Sequence, residues 1–167
     1  MSDKDIKPII ENAELLGVRQ ETMDKDYPMP TTIEEPPYVG KWAVLSYFVP
    51  RDLMHPDDQN RYINKIRTGE SLYICIAEID GWAIIENNKG ESFRVNPKRI
   101  LWVPKPEFEL SCEIYTVNGT RRVGRICGRV WHYKEKKYEY YIQIDTGNGP
   151  KRHKKRYWAS DFKVINS

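Results

Sequence analysis

From residue 40 onward, apolar and polar positions mostly alternate with a period of two. Leu72, Ile74 and Ile76 alternate with Tyr73, Cys75 and Ala77. Farther on, Tyr138, Tyr140, Ile142 and Ile144 alternate with Glu139, Tyr141, Gln143 and Asp145. Successive side chains of a strand point to opposite faces, so this pattern predicts half-buried strands. If Tyr140, Ile142 and Ile144 face inward, Tyr141 and Gln143 face out. Asp80-Gly81 predicts a hairpin turn, with Trp82–Glu86 as the return strand. Asn87–Gly90 then turns the chain into Phe93–Val95, and Asn96-Pro97 ends that strand. Lys98–Val103 predicts a one-turn bend and a last short strand. The aromatic and β-branched run Lys41–Val49 predicts the opening strand.

Two segments follow a helical period instead. In Ser2–Gly17 the residues Ile6, Ile9, Ile10, Leu15 and Leu16 share a face, Pro8 fits the first turn and Gly17 the stop. Residues 19–38 are polar and proline-dotted, which predicts an extended linker. Pro56 with Asp57 and Asp58 marks a second helix start, Tyr62, Ile63 and Ile66 give it an apolar stripe, and Gly69 ends it. A helical insertion near 56–68 is therefore expected between two strands.

The second half runs in parallel. Ser111–Val117 predicts a strand, Asn118-Gly119 a tight turn, and Arg121–Trp131 a strand with Val123, Ile126 and Val130 inward. The loop HYKEKK precedes the strand at Tyr138, TGNGP turns the chain, KRHKKRYW returns it and ASDFKVI closes it. Side by side, the halves suggest an internal repeat of about sixty residues. Each copy resembles the SH3-like small barrels, in which a single-turn bend precedes the last strand; Tudor, KOW and chromo-barrel modules share that layout. The resemblance covers roughly Val39–Val103 and Ser111–Ile165. It implies a mainly β protein of two SH3-like barrels, with a short N-terminal helix and a helical insertion in the first barrel. The expected organisation is 1–36 as helix and acidic linker, 37–104 as first barrel and 105–167 as second. The ALYDY-type signature of signalling SH3 domains is lacking, so binding of proline-rich peptides is not implied.

Charge changes this picture. The 167 residues carry a net +3, unevenly spread. Met1–Pro36 has four basic and nine acidic residues, Pro37–Leu110 ten of each, and Ser111–Ser167 thirteen basic against five acidic. A basic tail behind an acidic head points to polyanion binding by the tail. The cations are Arg121, Arg122, Arg125, Arg129, Lys134, Lys136, Lys137, Lys151, Arg152, Lys154, Lys155 and Arg156; Trp131, Tyr133, Tyr141 and Trp158 stand among them. Cations displace the counterions of a phosphate backbone, and aromatic faces stack on bases at about 1–3 kcal/mol each. The expected function is non-enzymatic binding of nucleic acid or another polyanion through the second barrel. The alternative is a protein–protein adaptor or inhibitor acting through its barrels and acidic N-terminal segment. The Tudor-like resemblance also implies an aromatic cage for methylated cations, with Trp82, Phe93, Trp102, Tyr133 and Tyr141 as its candidates.

Other classes find no support in the sequence. His55, His132 and His153 lie far apart, and no GxSxG, P-loop or HExxH motif occurs, so no catalytic residue is named. Cys75, Cys112 and Cys127 have neither disulfide-framework nor zinc-ligand spacing, so no metal or cofactor is expected. The first ten residues do not read as a signal peptide, and no apolar run is long enough to span a bilayer. A cytoplasmic, intracellular protein is expected, a reading that leaves nucleoid and nucleus open.

Overall fold

The computed structural model describes residues 34–46, 49–64 and 69–165. The helix expected within Ser2–Gly17 lies outside them. The chain divides into two compact units, with the boundary between Pro104 and Lys105. The protein is mainly β, built on two antiparallel sheets, one in each unit.

The first sheet comprises β1 (Trp42–Val44), β2 (Leu72–Ile79), β3 (Trp82–Asn87), β4 (Ser92–Val95) and β5 (Leu101–Val103), in the order β4-β3-β2-β1-β5. Asp80 and Gly81 have φ of 50° and 82°, the two positive values that let a two-residue turn match the twist of its strands. β1 is shorter than the predicted Lys41–Val49 strand, and its ladders to β2 and β5 both end at Val44. The expected alternation along β2 fails after Cys75. Tyr73 and Cys75 are buried and Ile76 is 46% exposed, as alternation requires, but a bulge between Cys75 and Ala77 then pairs Ala77 with Ile84 and breaks the period.

Helix α1 (Pro56–Asn64) stands between β1 and β2, where an insertion is expected; residues 65–68 of that expectation are outside the described set. Its first turn is held twice. The His55 ring nitrogen Nδ1 accepts the Asp57 N–H at 3.1 Å, supplying a cap. Asp58 takes the Arg94 guanidinium at 2.8 and 3.0 Å and the Arg94 backbone N–H at 2.8 Å, pinning the helix to β4. Tyr62 is buried edge-on against Phe93, 5.0 Å between centroids, in a core with Leu45, Leu53, Tyr73, Ile85 and Ile100.

The second sheet comprises β6 (Glu113–Thr116), β7 (Val123–His132), β8 (Lys137–Asp145), β10 (Tyr157–Trp158) and β11 (Phe162–Val164) in the order β10-β8-β7-β6-β11. A further strand, β9 (Pro150–Arg152), pairs with β8 beside β10. A 3-10 turn, Ala159–Asp161, precedes β11. Both sheets thus follow one order of strands, and in both the pairing is an open path among the described residues. The core is aromatic: Tyr140 and Phe162 are 6.1 Å apart, each packed near-perpendicular on Phe108, with Ile114, Ile126 and Ile142 around them. Such edge-to-face pairs add about 0.5–1.5 kcal/mol each beyond their buried area.

Candidate polyanion interface

The geometry of the basic segment is set by the ladder of β7 on β8. Tyr138, Tyr140 and Ile142 are buried, so Glu139, Tyr141 and Gln143 lie on the opposite side, away from the core. Across the ladder Arg125 faces Gln143, and Gln143 faces Arg152 of β9. Trp158 of β10 faces Glu139, and His132 faces Lys137. Arg125, Lys137, Tyr141, Arg152 and Trp158 therefore share the outer side of the sheet. The Arg152 guanidinium lies 3.8 Å from the centroid of the Tyr141 ring, and the Lys137 ammonium 4.0 Å from that of Trp158. Gly128 stands opposite Tyr141, and a Cβ added there would meet the ring at an ordinary contact distance of 3.5 Å.

A bulge between Ile126 and Gly128 decides what else points outward. Beyond it the parity of β7 reverses. Val130, an inward residue by simple alternation, is 40% exposed, while Arg129 turns into the core side opposite Tyr140. Val123, also expected inside, is 54% exposed, because it shares the parity of Arg125 rather than of Ile126. Arg129 is 5% exposed, donates to the Phe108 carbonyl at 3.4 Å and pairs with Glu109 at 3.6 Å. It serves the core, not a ligand. Trp131 likewise packs edge-on against Tyr138 on the core side, with centroids 5.0 Å apart.

The remaining candidates lie on rims. Tyr133, Lys134 and Lys136 occupy the β7–β8 turn, and Arg121 and Arg122 the β6–β7 loop, with Arg121 over the Tyr115 ring at 4.5 Å. The run KRHKKR is split by the register. Arg152 joins the outer side, Lys151 faces Ile144 on the other, and Lys154, Lys155 and Arg156 form the loop to β10. Burial, then the charges of Arg122 and Lys155, hold His153 below the usual histidine value.

Acidic partners occupy few of these cations. Arg125 pairs with Glu113 at 2.8 Å and Arg156 with Glu139 at 3.3 Å, in addition to Arg129 with Glu109. Among the described residues no ion pair engages Arg121, Arg122, Lys134, Lys136, Lys137, Lys151, Arg152, Lys154 or Lys155. Residues of this side absent from the predicted site include Gln143, whose parity with Tyr141 signals it, Val130 and His132, brought there by the bulge, and Glu139, a carboxylate set between Arg156 and His132.

The first unit offers the opposite sign. An open groove of about 630 Å³ is lined by Glu35, Tyr38, Glu78, Asp80, Trp82 and Lys98, among others. Of the cage candidates, Phe93 is buried in the core and Trp102 stacks on Tyr38 at 5.3 Å, while Tyr133 and Tyr141 belong to the other unit. No cluster of three or more His, Cys, Asp and Glu suited to a metal occurs among the described residues, and no helix there is long and apolar enough to cross a membrane.

These features define a β protein with a basic, ring-bearing sheet surface. The chain belongs to a family of unknown function, DUF6960, whose model matches residues 36–163. No curated protein and no solved structure gives a significant match.

Proposed function

We propose that this protein binds nucleic acid or another polyanion, without catalysis, through the outer side of the second unit's sheet. The observation carrying the reading is the register that sets Arg152 and Lys137, neither paired to a carboxylate among the described residues, on one side of β8, β9 and β10 with the Tyr141 and Trp158 rings against them. Cations without carboxylate partners retain their full charge for phosphate, and the counterions they release from it drive association. We further read the two units as tandem SH3-like modules, 37–104 and 105–167. The shared strand order and the 3-10 turn before β11 support that reading. We place the protein in the cytoplasm, a reading that leaves nucleoid and nucleus open.

Charge reversal tests the site. The double substitution Arg152→Glu with Lys137→Glu should weaken binding to a nucleic-acid probe by more than tenfold. It should also flatten the plot of log affinity against log salt by about 0.7–0.9 for each phosphate that is no longer neutralised. The same exchange at Lys151 and Lys155, off this side, should cost less. If the second pair costs as much as the first, the outer side is not the site.

A second reading is a protein adaptor. The first unit's groove favours it, because carboxylates beside Tyr38 and Trp82 suit a basic segment of a partner. It predicts a co-purifying protein and no nucleic acid, which the ratio of absorbance at 260 and 280 nm separates.

A further inference from the structure

We infer that the ligand of the outer side is single-stranded nucleic acid, with the Tyr141 and Trp158 rings as base-stacking platforms. This rests on the polyanion reading above and adds the class of ligand.

Cations alone suffice for a generic polyanion; rings do not contribute to it. Here the core has its own aromatics in Tyr138, Tyr140, Tyr157 and Phe162, all buried. Tyr141 and Trp158 are on the other side and only partly covered. Trp158 faces Glu139, two residues from Tyr141 on the same side of β8. That makes the rings diagonal neighbours, about 7–8 Å apart at their backbones, close enough for consecutive bases of an extended strand. Each ring has a cation against it, Arg152 at 3.8 Å and Lys137 at 4.0 Å. Both are long, flexible side chains that can lift onto a phosphate as a base takes their place on the ring. Gln143, between Arg125 and Arg152, offers both a donor and an acceptor to a base edge.

Duplex is a poorer fit. Its base faces are closed within the stack, so the Tyr141 and Trp158 rings would find no base to stack on without unpairing it.

The test measures binding of the full chain to labelled oligo-dT and oligo-U, to a duplex of equal length, and to inorganic polyphosphate. The expected result is at least tenfold tighter binding of a single strand than of duplex in 0.15 M salt. Preference for oligo-dT or oligo-U then separates DNA from RNA as the source. Tyr141→Ala and Trp158→Ala should each lower single-strand affinity about tenfold and leave polyphosphate binding unchanged. Thermal melts accompany each variant; if alanine unfolds the sheet, Tyr141→Leu and Trp158→Leu keep the bulk without the ring. Equal affinity for single strand, duplex and polyphosphate, or ring variants without effect, overturns this inference and leaves the polyanion reading standing. Failure to bind any of the four probes overturns both.

Discussion

Glu139 is the residue least suited to a phosphate-binding surface. Its side chain is 11% exposed, on the outer side of β8, and it holds Arg156 at 3.3 Å and His132 at 3.9 Å. A carboxylate there repels phosphate and ties up a guanidinium that could meet it. Glu139→Gln keeps the shape, removes one negative charge and releases Arg156. Polyanion affinity should rise about two- to fivefold at 0.1 M salt, since charges near a surface interact weakly across water. Titration of the probe against wild type and variant reads this directly. Unaltered affinity would place the ligand away from Glu139. Arg129 teaches the converse lesson. Composition alone groups it with the ligand-binding cations, yet its position after a bulge makes it a core residue.

At the scale of elements, strands and turns are legible in the sequence because alternation and turn residues are local signals. Asp80-Gly81 and the Pro56-Asp57-Asp58 helix start stand where those signals put them, while Asn118-Gly119 lies in a six-residue loop, 117–122, rather than a tight turn. The two bulges are not legible. One extra residue at Cys75–Ala77 or Ile126–Gly128 reverses the parity of everything after it, and no residue type announces that insertion. Hence Val130 and Arg129 exchange sides relative to expectation. Division of KRHKKRYW into β9, a loop and β10 is equally hidden, since its pairing is decided by β8. Asp57 and Asp58 read in the sequence as charges favouring a helix N-terminus, but Asp58 has a tertiary role as well. Burial alone would raise its pKa, yet hydrogen bonds and charge from Arg94, with Arg61 beyond, bring it below the ordinary value of 3.8. A carboxyl depressed in the folded state gives stability that is present above 3.8 and lost as pH falls through its folded value. Asp58→Asn should therefore destabilise the first unit by about 2–3 kcal/mol at pH 7, because Arg94 loses its charged partner. The difference from wild type should shrink in melts below pH 3. A constant difference down to that pH would show that the Asp58 charge is not what holds α1 to β4.

For the whole molecule, charge is distributed so that the two ends of the chain oppose each other. Residues 1–33 carry seven acidic and four basic side chains, while Ser111–Ser167 carries an excess of eight positive charges. A polyanion approaching the second unit feels the charge of that head only over distances comparable to the Debye length. Deleting residues 1–33 leaves Glu34, Lys41 and every described strand in the chain and raises the net charge from +3 to +6. Association with a single-stranded probe should then tighten several-fold at 20 mM salt, where charges act over about 20 Å or more. At 0.5 M salt the Debye length falls to about 4 Å, and a purely long-range effect should vanish. Persistence of the gain at high salt would instead mean that the head occupies the binding surface by direct contact, competing with the ligand. The salt series on the deleted and full-length chains thus separates a steering field from a built-in inhibitor, the two physical forms that an acidic head can take if the basic unit binds a polyanion as proposed.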